Sequence, residues 1–407
     1  MTAQPFGGPP LTLQFTGSGS EYFRIWIVNL LLILVTFGIY FPWAKVRRLK
    51  YFYSNTSVGN DAVGRHALDF HGQPLRMLIG YAIMTVLFGL YSVAGAVSPA
   101  AGIVSVALLC AAAPPLFRAG MRFRLANTSW RGLRFHFDGT TGGAYRVFLP
   151  LAIPVVLLAA VLAFGGIAGS ALGADATSDD GPGSELGVIG AFFIGGFVVA
   201  VLVAYLLAPL IWFRIRAYQH RNYRFGSVAS GLELGPGALY RLLLRTSLLA
   251  IGAVAAVMLL AFAASLLLGS AAVLTGDPAG AGAAPWLTMM LVPLGVIAAW
   301  QVVALPYLQA KQQNLFWSAT RSDTVRFTST LGFGPLARLT AVNWLLIVVT
   351  LGLYWPFAAV RLARLRLTAV SLQLRDDPAA IVGAARAAAP GNIGDAAADV
   401  FGVDVGL

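Results

Sequence analysis

Polar and apolar positions follow two periods along this chain. In LTLQFTG (residues 11–17), Leu11, Leu13 and Phe15 take alternate positions, the period of a strand with one apolar face. The pattern returns in HALDFHG (Leu68, Phe70), LRFHFDG (Leu133, Phe135, Phe137), GLELG (Leu232, Leu234) and TVRFTS (Val325, Phe327), and weakly in VSLQL (Val370, Leu372, Leu374). Every stretch but the last leads into apolar runs of helical length. Three pairs of runs approach the ~20 residues that cross hydrocarbon. Helices are predicted at about 74–96 and 102–118, 146–170 and 187–213, and 241–270 and 286–310. Return helices carry proline and pass into basic arms: Lys45–Asn55, Arg118–Asn127, Arg214–Asn222, Lys311–Asn314 and Arg361–Arg366. Asn55-Thr56 and Asn127-Thr128 are identical pairs suited to stopping a helix. The chain therefore reads as a repeat of strand, helix out, helix back, basic arm and strand.

Two copies of one segment bracket the repeat. NLLLILVTFGIYFPWAKVRRLKYFY (Asn29–Tyr53) and NWLLIVVTLGLYWPFAAVRLARLR (Asn343–Arg366) align without gaps. Asn29 meets Asn343, Thr36 meets Thr350, Gly38 meets Gly352, Tyr40 meets Tyr354, Pro42 meets Pro356 and Arg47 meets Arg361. Phe357 stands where the first copy has Trp43, and Leu362 where it has Arg48. Each apolar piece breaks at Thr-x-Gly, and two readings follow. It is a short broken hairpin that dives in and returns, or it is one plain span. The hairpin is preferred, because a single crossing would carry Arg361, Arg364 and Arg366 outward. Non-helical backbone at membrane depth is tolerated where protein or water covers it. With all strands on one side, a small sheet of five or six strands is predicted, its apolar face (Phe15, Phe70, Phe137, Leu234, Phe327) pressing on the helices. The alternative for these stretches is irregular loops with a dipping aromatic.

Composition identifies the solvent. Of 407 residues, 58% are hydrophobic and 11% charged, with a mean hydropathy of +0.77. Soluble domains carry about 25% charged residues, so this chain lacks the charge to coat a water-facing surface. The net charge of +12 is placed unevenly. The gap at 170–187 holds Asp175, Asp179, Asp180 and Glu185, that at 275–285 holds Asp277, and that at 97–102 holds none. All 28 Lys and Arg lie elsewhere. Loops rich in Lys and Arg stay cytoplasmic, so both termini are predicted there. The charge points to anionic lipid, not to nucleic acid. Residues 1–10 carry no signal-peptide pattern and are read as flexible. Residues 11–374 form the membrane domain. Residues 375–407, rich in Ala, Gly and Asp, are read as a disordered tail.

No pattern for catalysis or cofactor binding stands out. Cys110 is the only cysteine, so no disulfide forms within the chain. His66, His71, His136 and His220 lack metal-ligand spacing and are expected on polar, solvent-facing positions of the strands and arms. None of the six long runs has an ionisable group near its centre, as ion-coupled carriers usually do. Gln301 is the boldest polar residue there, and a bond to a neighbouring helix explains it. Two sets remain as candidates. The helix breaks (Asn29, Thr36, Gly38, Tyr40, Pro42, Trp43; Asn343, Thr350, Gly352, Tyr354, Pro356) offer the backbone groups that broken transporter helices use. The arms (Arg47, Arg48, Lys50; Arg118, Arg122, Arg124; Arg361, Arg364) offer cations and aromatics to lipid headgroups.

The stretch Glu21–Thr56, EYFRIWIVNLLLILVTFGIYFPWAKVRRLKYFYSNT, resembles the signature of the bacterial YjgN family, and the resemblance extends over most of the chain through the F-x-G strands and TLGLYWPF. It implies a bacterial inner-membrane protein and supplies no catalytic or ligand residues. The expectation is an α-helical polytopic membrane protein of repeated hairpins: six long spans, two short broken hairpins at the ends and a small cytoplasmic β-sheet. It moves or gates a small solute or lipid. The alternative is a scaffold that binds anionic lipid or protein partners. No enzyme activity and no cofactor are expected.

Overall fold

The computed structural model describes residues 9–60, 64–175, 183–275, 278–375 and 377–388. Strand β1 (Leu11–Phe15) leads into helices α1 (Gly19–Val35) and α2 (Phe41–Ser54) and on to β2 (Thr56–Asn60). β3 (Gly64–Phe70) leads through α3 (Pro74–Val97) and α4 (Pro99–Ala126) to β4 (Thr128–Trp130). β5 (Leu133–Phe137) is followed by α5 (Thr141–Phe148), a 3-10 turn, α6 (Ala152–Asp175), α7 (Gly183–Arg221) and β6 (Tyr223–Phe225). β7 (Val228–Ala229) and β8 (Gly231–Leu232) precede α8 (Pro236–Thr275), α9 (Pro278–Ala299), α10 (Leu305–Ala319) and β9 (Thr320–Arg321). β10 (Val325–Ser329), α11 (Phe333–Val349), α12 (Trp355–Thr368), β11 (Val370–Leu374) and α13 (Pro378–Ala388) complete the chain. A π turn at Trp300–Ala304 joins α9 to α10. It precedes Pro306, whose missing N–H interrupts the ordinary ladder.

Among the described residues, six helical stretches are long and apolar enough to cross a bilayer. They match the predicted pairs, but their ends do not. Helices α2, α4, α7 and α10 run on through the basic arms, because Arg, Lys and Gln are good helix formers. Leu244, Leu248, Ile251, Leu259 and Phe262 on α8 are exposed, as on a helix whose solvent is lipid.

Two compact units divide the described chain. One takes residues from Met1–Val86, Ala119–Asp138 and His220–Leu407, and the other Leu87–Arg118 and Gly139–Gln219. All the described strands lie in the first. They form one antiparallel sheet of 11 strands in the order β7-β6-β5-β4-β3-β2-β1-β11-β10-β9-β8. Its two edge strands are separated in the chain by Ser230 alone, so the sheet curls almost into a closed barrel. Leu11, Val58 and Trp130 are buried together in one cluster with Leu13, Leu68, Phe135, Phe225 and Leu372.

Five or six strands were expected. The additional ones are β2, β4, β6, β7 and β9, which are mostly two or three residues long, too short for a period to show. The apolar alternation also serves two surroundings. The earlier residue of a stretch (Leu13, Leu68, Phe135) enters the strand cluster. The later one meets helices: Phe15 packs with Tyr22, Tyr51 and Val360, and Phe70 with Val46, Met77 and Phe123. Phe327 packs on Trp317 of α10. Leu234, expected on the apolar face, lies beyond the end of β8.

The glycine of F-x-G has a local cause. A Cβ at Gly17 would lie 2.7 Å from the Phe15 ring and 2.8 Å from Tyr51 Oη, and one at Gly72 would lie 2.5 Å from the Phe70 ring. The same junction recurs where a return helix meets the sheet. The N–H groups of Thr16, His71, Asp138, Glu233 and Thr330 donate to the last carbonyls of the arms, at Asn55, Asn127, Asn222, Ala319 and Ala369. Asn55 and Asn127 amides each donate back to a helix carbonyl at 2.8 Å, and Thr56 and Thr128 hydroxyls do so at 2.7 Å.

The expectation of a loose tail from residue 375 gives way at Pro378–Ala388, which folds as α13 with Val382 buried. The flexible start expected at 1–10 falls mostly on 1–8, and the tail's remainder on 389–407; both lie outside the described residues, as do 176–182 and 276–277 of the acidic gaps.

Candidate functional site

The two Thr-x-Gly breaks fold alike. In the first, Thr36 Oγ1 donates to Leu32 O at 2.7 Å and accepts the Tyr40 N–H at 3.0 Å. Phe37 (φ 48°) and Gly38 (φ 90°) reverse the chain, and the Gly38 N–H reaches back to Ile33 O at 2.8 Å. This is a Schellman-type stop, and a φ of 90° favours glycine. Thr350 repeats it with 2.6 Å to Leu346 O and 3.0 Å from the Tyr354 N–H. Leu351 (φ 50°) and Gly352 (φ 93°) follow, with the Gly352 N–H on Ile347 O at 2.7 Å. Every backbone N–H from Thr36 to Phe41, and from Thr350 to Trp355, is bonded within its own turn.

The tips are apolar and bare. Phe37 is 97% exposed and Leu351 95%, flanked by exposed Val35, Ile39, Val349 and Leu353. Beyond each tip, Pro42 and Pro356 begin the return helices, where the missing N–H costs nothing, and both are fully buried.

Both breaks are hairpins. Tyr51, near the end of α2, stacks on Tyr22 near the start of α1 at 5.3 Å and donates to Ser18 O at 2.7 Å. Burial, and then the nearby Glu21 carboxylate, push the Tyr51 pKa above the usual tyrosine value. At the other end Leu336, near the start of α11, packs with Leu362 and Leu365 of α12. The two hairpins also meet, since Phe23 of α1 lies 5.7 Å from Phe357 of α12 and Arg364 Nη2 donates to Gly17 O at 2.9 Å.

Behind each tip the candidate residues assemble into a stack. Arg47 lies over the Tyr40 ring at 5.7 Å, and Tyr40 stacks on Trp43 at 5.9 Å. Arg361 lies over Tyr354 at 5.4 Å, and Tyr354 stacks on Phe357 at 5.4 Å. The exchange of Trp43 for Phe357 thus keeps the stack. Asn29 and Asn343 are both buried, and Arg47 approaches Asn29 Oδ1 at 3.5 Å. Asn343 Oδ1 and Tyr40 Oη find no partner among the described residues.

The arms divide. Arg48 lies over Phe52 and Trp355 and is exposed, as are Lys50 and Arg122. Arg118 instead donates to Gly139 O at 2.6 Å and ties a loop to its own helix. Arg124 leans on Met121 Sδ at 3.8 Å.

Sequence reasoning misplaced His220. It is buried, its Nδ1 2.8 Å from Thr320 Oγ1, with Phe316, Trp317 and Tyr223 around its ring. Thr320 donates its own proton to Phe316 O at 2.7 Å, so the histidine Nδ1 is the donor of the shared bond. The only signal was position, at the end of the long helix that runs into the sheet. His66, His71 and His136 are exposed, as expected, and His71 Nε2 bonds Ser129 Oγ at 2.8 Å. Among the described residues no group of three His, Cys, Asp or Glu could hold a metal.

Two cavities are lined by residues other than those of the breaks. A groove of about 530 Å³ runs from Leu151 and Pro154 along α7 to Arg216 and Gln219. A polar cleft of about 490 Å³ opens at the sheet seam.

The family model described as "Bacterial protein of unknown function (DUF898)" matches residues 10–400. The chain is similar to inner membrane protein YjgN of Salmonella typhimurium, 32% identical over 150 residues, which are 37% of this chain and 36% of that protein. It is similar also to inner membrane protein YjgN of Escherichia coli, 30% identical over 149 residues, 36% of each chain. The match thus spans about a third of these curated relatives. No solved structure matches.

Proposed function

Since this chain belongs to the DUF898 family of bacterial proteins, with inner membrane proteins among its relatives, we propose that it is a non-enzymatic inner-membrane scaffold that grips anionic lipid from the cytoplasmic face. Six helices cross the bilayer. The terminal hairpins enter one leaflet only, with Phe37 and Leu351 at their deepest points. The basic arms and the sheet stand at the cytoplasmic surface, and both termini lie on that side, as the distribution of Lys and Arg implies. Arg47, Arg48, Lys50 and Arg361 meet the headgroups, each cation contributing roughly 1 kcal/mol at an anionic surface.

One observation carries this reading. At both tips the apolar side chains are exposed while every backbone N–H is satisfied within the turn. Backbone in hydrocarbon requires internal satisfaction. A carrier that used these breaks would need the opposite, N–H groups left open to a substrate. The solute-moving reading therefore ranks second.

The test uses Phe37→Cys and Leu351→Cys, each in a Cys110→Ser background, carrying an environment-sensitive fluorophore in lipid nanodiscs. Quenching by lipids brominated on the acyl chains is expected at both positions. In cells, reaction of either cysteine with a membrane-impermeant maleimide from the periplasm would overturn the reading.

A further inference from the structure

The groove along α7 is apolar for most of its length and polar at one end. Ala204, Ala208, Ile211, Ile215 and Gln219 recur at three- and four-residue spacing, so they form one stripe of the helix. Trp212 and Arg216 flank that stripe one turn apart. Phe213 and Ala217, on the opposite side of α7, are buried. Leu151 and Pro154 supply the other wall, where the 3-10 turn at Leu149–Leu151 passes into α6. The side chains of Ala204 and Ala208 stop at Cβ, and about 530 Å³ stays open beside them. Ala208 and Leu151 are exposed, so the groove opens outward. All of these residues belong to one compact unit.

Length fixes the size of the occupant. Ala204 and Gln219 stand about 15 residues apart on the helix, roughly 22 Å at 1.5 Å each. One leaflet with its headgroups takes the same, half of the ~40–45 Å of a bilayer. The stripe lies in the half of its span that leads into the basic arm. Its apolar part therefore borders acyl chains, and Trp212, Arg216 and Gln219 stand at headgroup level, where tryptophan is favoured. A gap beside the helix forfeits dispersion contacts until something of matching shape fills it. At the polar end Arg216 Nη1 donates to Gln219 Oε1 at 3.4 Å. The guanidinium keeps its charge while so engaged. Among the described residues lining the groove none is a carboxylate. An anion at this end gains from the field of Arg216 without displacing its bonds.

We propose that this groove holds one phospholipid of the cytoplasmic leaflet, an acyl chain lying along Ala204–Ile215 and the phosphate beside Arg216. The volume falls within the ~300–1,000 Å³ of small-molecule sites. With no carboxylate in the lining to receive an ammonium, the groove favours a phosphatidylglycerol-type headgroup over an ammonium-bearing one. The site rests on the membrane orientation given above. It shares no residue with the terminal hairpins and lies in the other compact unit, so either lipid contact can fail alone.

The experiment places the full-length protein in phosphatidylcholine nanodiscs with a trace of phosphatidylglycerol carrying a diazirine at the end of one acyl chain. Crosslinks are mapped by mass spectrometry. Those on α7 near Ala204 should exceed those at the exposed Leu248 and Leu259 of α8, and unlabelled phosphatidylglycerol should compete them away first. Ala208→Phe fills the groove from an exposed position and should remove the α7 crosslinks while those on α8 persist. Arg216→Gln should weaken the competition about 5-fold, the size of one cation at an anionic surface; it carries the test if Ala208→Phe does not fold. Crosslinks on α7 no stronger than on α8, or unchanged in Ala208→Phe, would overturn the proposal, as would competition indifferent to Arg216→Gln. Their loss in a protein with Arg47→Gln and Arg361→Gln would assign the lipid to the hairpins and overturn the groove. Intact α7 crosslinks without quenching at the tips would overturn the hairpin reading alone. A disulfide-linked dimer of Ala208→Cys in a Cys110→Ser background would give the groove to a second copy of the chain and overturn the lipid.

Discussion

Thr36→Val isolates the chemistry of the first break. Valine keeps the shape and the β-branch, so the exchange removes the hydroxyl and little else. Two bonds are lost, Thr36 Oγ1 to Leu32 O at 2.7 Å and the Tyr40 N–H to Thr36 Oγ1 at 3.0 Å. They do not weigh equally. Leu32 O still accepts the Thr36 N–H at 3.0 Å, so its loss is partial. The Tyr40 N–H is left with nothing. An orphaned donor costs about 1–3 kcal/mol when water is absent, and the apolar tip at Phe37 excludes water if it sits in hydrocarbon. The expected loss is thus about 2–3 kcal/mol, whereas Thr36→Ser, which keeps the oxygen, should cost under about 1 kcal/mol. Thr350→Val should behave the same way, because its bonds match to about 0.1 Å. The assay is equilibrium unfolding in mixed micelles, followed by the fluorescence of the nine tryptophans. A Thr36→Val protein as stable as wild type would refute the reasoning: water would be replacing the hydroxyl, and the tip would lie outside the hydrocarbon.

Two glycines should fail for different reasons. Gly72→Ala drives a Cβ into the Phe70 ring and should cost about 1–3 kcal/mol by overpacking. Gly38→Ala meets nothing within 4 Å and should cost about 1 kcal/mol through its positive φ; the same unfolding assay reads both. Tyr51→Phe should cost about 1 kcal/mol at neutral pH through the bond to Ser18 O. Because the folded state holds the Tyr51 proton more tightly than the unfolded chain, that residue's contribution is complete below the ordinary tyrosine pKa of about 10 and is lost as pH rises past it. Wild type should therefore lose stability above that point more steeply than Tyr51→Phe, as measured by unfolding at pH 9.5 and 11. His220→Ala should cost about 3 kcal/mol, and His220→Phe, which keeps the ring, about 1 kcal/mol; equal losses would mean that the ring packing contributes nothing.

What the sequence disclosed depended on length. The long apolar runs identified the spans, and Leu11, Leu13 and Phe15 announced β1, because both patterns repeat often enough to register. Thr128-Ser129-Trp130 is a strand of three residues, and Thr320-Arg321 of two, where no period can be read. Their pairing partners come from distant segments, so only the assembled sheet reveals them. The breaks were legible for a different reason: Thr, Gly and Pro each answer a local backbone demand. That the breaks leave no N–H open was not legible, since it depends on the hydroxyl serving as donor and acceptor at once. His220 was misjudged because α7 carries its polar end into the sheet, where aromatic neighbours cover it.

The pairing of β1 with β11 has a temporal consequence. Leu11 lies opposite Leu372, so β1 is made roughly 360 residues before the strand that covers its outer side. During synthesis β1 and β10 both present bare edges, the kind that recruit strands from other chains. Closure over so long a separation is slow. A transcript cut short before Val370 would leave a membrane-bound product whose unfinished rim is adhesive, and such fragments should aggregate or be degraded even though every span has already been made.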